Sequence, residues 1–489
     1  MLRPVVPSVL LLLTLPTVAA PVGIALPGET PESVLTVCSE KCDYTSIQAA
    51  VDAAEPGGTI LLGPETFYEN VVTDRPLTIR GAGAERTVID GMFADRVITY
   101  GGDLHLVDLT ITHGFTRSTG GGISGTGHLT IENCHVVDNE AWNSNAAASA
   151  FGGGVAGRGL TRITGSLIAD NRARDFGGGV FALDRLEIVD SSIVNNSAAH
   201  GGGVGDFDVG TVRIERSLIA QNQAREYGGG ILAATTGSAL EILNSTVTGN
   251  RATLGGGGIM VFFFRGVIVK NCTISDNSPN GIHFYQAEAR VRIDHSVVAG
   301  NEYSQCSGLA GILESNGYNM ASDFSCGLDR PSDQEGVEPI LLPLGDYGGG
   351  TLTCPLHPDS PAIDAGGDTC LPTDQRGFPR PFDGDFDGDP KCDIGAFELG
   401  IRGEAKIIGS LHDLIFQLEG ADHGLVEHLQ AAMQVLEDDD SSNDADAVRA
   451  LLGFIQDVEA HRGFAIGQDQ ADKLVGSAKE IVASLYGRE

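Results

Sequence analysis

Glycine triplets opening at Gly120, Gly152, Gly177, Gly201, Gly228 and Gly255 alternate along this chain with a recurring asparagine, at Asn139, Asn171, Asn196, Asn222, Asn250, Asn277 and Asn301. Successive asparagines lie mostly 24 to 28 residues apart. A period of that length marks a solenoid, in which each repeat buries its apolar face against the next. The chain's 489 residues are too many for one compact core but natural for a solenoid with extra modules. A stack of coils commits most residues to neighbouring copies of themselves. A functional site must therefore show as a departure from the repeat.

Counting back from each asparagine sets the register. Three residues before it stand Val136, Ile168, Ile193, Ile219, Val247, Ile274 and Val298, all β-branched. Eight before it stand Ile131, Ile163, Ile188, Ile214, Ile242, Val269 and Ile293. Ten before it the slot is again apolar, apart from Thr161. β-branching and a spacing of two describe strands whose side chains alternate inward and outward. Five before the asparagine only small residues occur: Cys134, Ser166, Ser191, Ser217, Ser245, Cys272 and Ser296. Cys134 and Cys272 therefore read as small interior residues. The expected fold is mainly β: a right-handed single-stranded parallel β-helix with three short strands per coil. The asparagine is expected in a left-handed turn, its amide bonded to the coils above and below. Upstream, Tyr44 to Ala54 is amphipathic, with Ile47, Ala50, Val51 and Ala54 on one face, and suits a helix covering the first coil.

The formal charge of −34 argues against nucleic acid or anionic lipid as partner. Met1-Leu2-Arg3, an apolar stretch and small residues to Ala20 read as a secretory signal within 1–25, with cleavage after Ala20 or Ala25. No later segment is apolar enough to span a membrane, so the mature chain is expected to be secreted or displayed on a bacterial surface. In an oxidising compartment Cys38 with Cys42, Cys306 with Cys326, and Cys370 with Cys392 make plausible bridges.

The run Thr45 to Val51, then Pro56-Gly57-Gly58-Thr59-Ile60 and Tyr68-Glu69-Asn70-Val71, resembles the entry of pectin-lyase-like β-helix proteins. The Gly-triplet coils resemble those of chlamydial polymorphic outer-membrane proteins, whose C-terminal membrane barrel has no counterpart in the helical C-terminus here. Gly348 to Thr353, Pro361 to Gly366, Asp374 to Pro381 and Cys392 to Glu398 resemble the bacterial choice-of-anchor Q domain. That resemblance implies a disulfide-fastened segment at 302–400, read as a cap for the open end of the solenoid 26–301. Residues 401–489 turn to helical spacing, from Ile407-Ile408-Leu411 through Leu425-Leu429 and Leu451-Leu452 to Ile481-Leu485. They predict a four-helix bundle, and the Gly463-Phe464-Ala465-Ile466 turn with the last helix resembles the FIMAH domain.

Three departures from the repeat are candidates for function. Asp383, Asp385, Asp387 and Asp389 alternate around glycines. They can wrap a hard cation such as calcium, although position twelve of an EF-hand-like loop is Ile394 and not Glu; the alternative is a solvated acidic turn. Ile293-Asp294-His295 resembles a short element of pectate lyases, yet sits in register with Ile214-Glu215-Arg216, where outward polar residues are expected. No catalytic role is assigned to it. Before the triplets stand Thr119, Phe151, Phe176, His200, Tyr227 and Leu254. Phe151, Phe176 and Tyr227 can form an aromatic file that stacks on sugar rings, or can simply pack under the turn. Nearby Phe262-Phe263-Phe264 breaks the alternation, placing at least one ring outward. No catalytic constellation emerges. The sequence reads as a non-enzymatic, adhesin-like scaffold presenting a surface to a polysaccharide or cell-envelope component. A polysaccharide lyase or hydrolase of the pectin-lyase-like fold is the alternative.

Overall fold

The computed structural model describes residues 34–400, 423–436, 444–462, 466 and 468–486, apart from the short stretches 146–147, 207–209, 235–238, 263–265, 287–288, 309–311 and 385–386. The signal segment, the first expected bundle helix and the Gly463-Phe464-Ala465 turn lie outside the described residues. Among those described, the strands form two twelve-stranded sheets, one of ten and one of six, with coil-to-coil neighbours parallel. Sheet A runs from Val34–Val37 to Ile312–Ser315, sheet B from Thr66–Tyr68 to Gln334–Glu335, and sheet C from Val71–Thr73 to Ser304–Gly308. Sheet D spans only the middle coils, from Phe115–Thr116 to Arg251–Ala252.

Three strands per coil is thus correct towards the ends, while the middle coils insert a fourth between the asparagine and the glycine triplet. The stack also runs beyond Asn301, because Ser304–Gly308, Ile312–Ser315 and Met320–Ala321 extend sheets C, A and B. The slots three and eight before the asparagine face the interior, as Ile193, Ile219, Ile188 and Ile214 show at 0% exposure. Helix α1 (Ile47–Ala53) closes the first coil with Ile47, Ala50 and Val51. Ser46 caps it, and Glu69 accepts the amides of Ile47 (2.8 Å) and Gln48 (3.0 Å), two of the donors a helix start leaves unpaired.

The asparagine does not occupy the left-handed turn. That conformation falls on the residue before it: Asp138, Asp170, Asn195, Gln221, Gly249, Asp276 and Gly300 all have φ between 55° and 66°. The asparagine itself turns inward and joins a ladder. Asn139 Nδ2 donates to Asn171 Oδ1, Asn171 to Asn196, Asn196 to Asn222, Asn222 to Asn250, Asn250 to Asn277 and Asn277 to Asn301, each at 2.9 to 3.0 Å. Gln305 Oε1 ends the series at 2.6 Å. The small-residue slot is a second ladder: the Ser191 amide donates to Ser217 Oγ (3.2 Å) and the Ser217 amide to Ser245 Oγ (3.1 Å). Cys134 opens this ladder and Cys272 stands within it, its amide donating to Ser296 Oγ (3.1 Å), and burial pushes both thiols up to about 12. The triplets pack backbone on backbone. Gly177 has φ 62°, and a Cβ on Gly178 would lie 2.3 Å from the Gly202 carbonyl oxygen.

Disulfides join Cys38 to Cys42, Cys306 to Cys326 and Cys370 to Cys392. The segment after residue 340 does not lie across the open end as expected: its hydrogen bonds run to the flank of the solenoid. They engage the corner between sheets A and B, where Asp190, Arg216, Asn244, Asn271 and His295 adopt positive φ in successive coils. Asn244 Nδ2 donates to Thr373 O (2.7 Å), the Leu371 amide to Asn271 Oδ1 (2.9 Å) and the Gly395 amide to His295 O (2.9 Å). Helices α2 (His423–Leu436), α3 (Asp444–His461) and α4 (Gln468–Leu485) share a core with this flank segment, through Leu342, Tyr347, Phe397 and Leu399.

Besides Asp374, which pairs with Arg376, two carboxyls are buried in the flank segment, Asp393 and Glu398. Burial raises both: Asp393 well above its ordinary value, with Glu398 adding to the effect, and Glu398 from 4.5 to about 6 against the pull of Arg380. A carboxyl raised by folding keeps a proton that the unfolded chain releases. Its contribution is therefore full below pH 4.5 and is lost as pH rises to about 6. The Glu398 shift corresponds to about 2 kcal/mol. Melting curves of Glu398→Gln between pH 4 and 7 are expected to show a flatter pH profile over that interval than those of the parent; an unchanged profile would refute the assignment.

Candidate functional site

Four of the residues before the triplets, Phe151, Phe176, His200 and Tyr227, form one continuous file. Phe151 lies 5.5 Å from Phe176, Phe176 stacks on His200 at 4.9 Å, and His200 stacks on Tyr227 at 6.0 Å. Coil spacing of about 4.8 Å makes this span about 14 Å along the axis. Two rings outside the expected set prolong it: Tyr227 meets Phe262 and Tyr285 edge-on at 5.6 Å, and those two stack at 4.1 Å. Phe181 underlies the other end, stacked on Phe151 at 4.7 Å and 2% exposed. The file is both packing and surface, because Phe151, Phe176, His200, Tyr227 and Phe262 are half-buried and Tyr285 is exposed. Burial lowers the His200 pKa, although Glu226 lies 3.8 Å away, so the ring is neutral at neutral pH and stacks as an aromatic.

On the same sheet D strands, towards the asparagine, lies a groove of about 490 Å³. Its floor includes the buried Ala173, Ala198 and Ala224, and its walls carry Trp142, Arg172, Arg225 and Arg251. Arg172 and Arg225 both sit over the Trp142 ring, at 4.1 and 5.5 Å from its centroid. A second hollow of about 420 Å³ continues from it and shares Gln223 and Arg251. Arg172, Ser197, Gln223 and Arg251 occupy one register position in consecutive coils, the residue after the ladder asparagine. Reading that slot as a column, together with the chain's single tryptophan, would have disclosed the groove from sequence.

Asp294 and His295 are not an outward solvated pair. His295 has 0% exposure; its Nδ1 lies 2.6 Å from Asp294 Oδ1, its Nε2 accepts the Gly367 amide at 3.1 Å, and its ring stacks on Tyr318. Lys270 Nζ bonds both Asp294 Oδ2 (2.9 Å) and Thr369 O (2.6 Å). Burial acts to raise the Asp294 carboxyl, but hydrogen bonds from His295 and Lys270 outweigh it and hold the group below its ordinary value. Buried beneath the flank segment, the pair serves docking and is out of reach of a polymeric substrate.

In the acidic turn Asp383 Oδ2 accepts the Gly388 amide (3.0 Å), Asp387 Oδ1 accepts the Asp389 amide (2.8 Å) and Asp389 pairs with Lys391 (2.6 Å). Asp383 Oδ1 is buried without a hydrogen-bond partner. Asp385 lies outside the described residues, and among those described no three acidic, His or Cys side chains converge on one point.

The family described as the right handed beta helix region matches residues 155–324. Among solved structures, the crystal structure of pectate lyase Pel9A is similar over 75% of this chain and 97% of that one, at 15% identity and a TM-score of 0.46. No curated protein matches. With the parallel coil-to-coil pairing and the two interior ladders, the matched segment makes this chain a right-handed parallel β-helix.

Proposed function

We propose that this chain is a secreted or surface-displayed rod that holds polysaccharide along the sheet D flank without cleaving it. The observation that carries the reading is the ring file from Phe151 to Tyr285, half-buried up to the exposed Tyr285 and continuous along the axis. Rings fixed from behind lose little freedom when a sugar face stacks on them, and stacking on an aromatic face is worth about 1 kcal/mol per contact. Three disulfides suit an extracellular setting, and among the described residues no helix is long and apolar enough to cross a membrane.

The test is incubation of the mature full chain with acidic and neutral polysaccharides, with and without calcium because of the buried Asp383 Oδ1. Retention without new reducing or unsaturated ends is expected. Phe176→Ala combined with Tyr227→Ala should weaken retention at least about tenfold, the equivalent of about 1.4 kcal/mol. Release of cleaved ends would replace this reading with the enzymatic one, and undiminished retention by the double variant would remove the file from the binding surface.

A further inference from the structure

Most surface arginines on sheet A are spent on carboxylates. Arg162 and Arg185 share Glu187 at 2.7 and 2.6 Å, Arg213 lies between Glu215 (2.9 Å) and Glu241 (2.7 Å), and Arg290 and Arg292 share Glu314. The sheet D groove is different. Arg172 has only a loose contact with Glu140, at 3.7 Å. Arg225 donates to the Arg174 carbonyl oxygen and lies over Trp142. Among the described residues neither Arg225 nor Arg251 has a carboxylate at ion-pair distance, and no Asp or Glu lines the groove. In a chain of net charge −34, three guanidinium groups left on one concave wall are a local reversal of sign.

From this we infer that the groove binds an anionic polysaccharide, its sugar rings against Trp142 and its acidic groups on Arg172, Arg225 and Arg251. The inference rests on the polysaccharide reading above and narrows its ligand class. Arg172 and Arg251 are three coils apart in one register column, about 14 Å along the axis. The ligand therefore runs parallel to the axis, and Ser197 and Gln223 between the two arginines can hydrogen-bond its hydroxyls. Guanidinium groups meet carboxylates and sulfates with two parallel N–H bonds. The overall negative charge does not forbid this, because beyond about 8 Å physiological salt screens it while contacts in the groove act at bond length. The carboxylate of Asp276 and the Ser278–Glu302 contact belong to the adjoining hollow, which limits the anion sites to the Arg172–Arg251 stretch.

Trp142 is the chain's single tryptophan, so its emission reports on this groove alone. Titration of the full mature chain with polygalacturonate oligomers should change that emission saturably, and raising the salt from about 0.05 to about 0.5 M should weaken binding. Arg251 is exposed and without a carboxylate partner, so Arg251→Gln should keep the parent melting temperature and weaken binding about tenfold, with Arg172→Gln adding to the loss. Dextran sulfate oligomers distinguish sulfate from carboxylate as the preferred group. Equal response to a neutral glucan, or a midpoint unmoved by Arg251→Gln, overturns the anionic assignment while leaving the polysaccharide reading intact. Absence of binding to every glycan in solution and on affinity gels overturns both. Preference for a single-stranded oligonucleotide over the polyuronate, through the same arginines, overturns the ligand class.

Discussion

Asn222→Ala is expected to cost about 4 kcal/mol or more, measured by denaturant or thermal melting of the solenoid. Asn222 Oδ1 accepts both the amide (2.9 Å) and the Nδ2 (3.0 Å) of Asn196, while its Nδ2 donates to Ile193 O (2.8 Å) and Asn250 Oδ1 (2.9 Å). All of these atoms are buried, and Asn222 itself has 0% exposure. An alanine takes hydrogen bonds from groups on both neighbouring coils, Asn196 and Ile193 on one and Asn250 on the other, and each buried orphan costs about 1–3 kcal/mol. The coils are coupled mainly to nearest neighbours, so the damage falls at the middle of a one-dimensional stack. The exposed Arg251→Gln is the control, expected within about 0.5 kcal/mol of the parent. A loss below about 1 kcal/mol for Asn222→Ala would mean that the ladder is incidental to stability and that the apolar slots alone hold the rod.

That ladder also shows how far the chain could be read before its structure. The interior slots were legible because Ile and Val recur at fixed offsets and strand alternation leaves one assignment. The asparagine was legible as a turn-and-ladder residue but one place out of phase. The left-handed position varies among Asp, Asn, Gln and Gly, all of which tolerate it to some degree, so it leaves no single-letter column. Sheet D was invisible because strands such as Arg172–Ala173 and Arg251–Ala252 are too short to show a period. The groove was missed for a related reason: Arg172, Arg225 and Arg251 stand on different coils, and only stacking brings them to one wall. The flank docking involves corner backbones and Asn244, Asn271 and His295 reaching segments about a hundred residues away. The aromatic file was legible as one of two readings, surface or packing, because Phe151, Phe176 and Tyr227 stand beside the triplets, the loudest landmark in the repeat, but its extension to Phe262 and Tyr285 depends on ring directions.

The second large effect is expected at Arg376, which joins the flank segment to the helices. Its side chain has 0% exposure and uses its whole fork: Nε donates to Asp374 Oδ2 (2.8 Å), Nη2 to Glu398 O (2.6 Å), and Nη1 to Tyr347 O (3.3 Å) and Tyr486 O (2.7 Å). Phe397 and Phe378 pack against the guanidinium at 3.6 and 4.3 Å. Tyr486 follows α4 directly and returns a hydrogen bond from its hydroxyl to Leu356 O (3.0 Å). Arg376→Met keeps the stem and much of the volume but leaves the Asp374 carboxylate buried without its cation. Breaking a buried pair from one side costs about 3–5 kcal/mol. The loss falls on the junction and not on the ladders, so calorimetry should show the helices and flank segment melting in a separate, earlier transition while the solenoid transition stays in place. Arg376→Lys is expected to rescue little, because a point ammonium cannot reach Asp374, Glu398 and Tyr486 from one position. A single transition at the parent temperature in Arg376→Met would show that the apolar contacts of Tyr347, Phe397 and Tyr486 alone hold the helices to the rod.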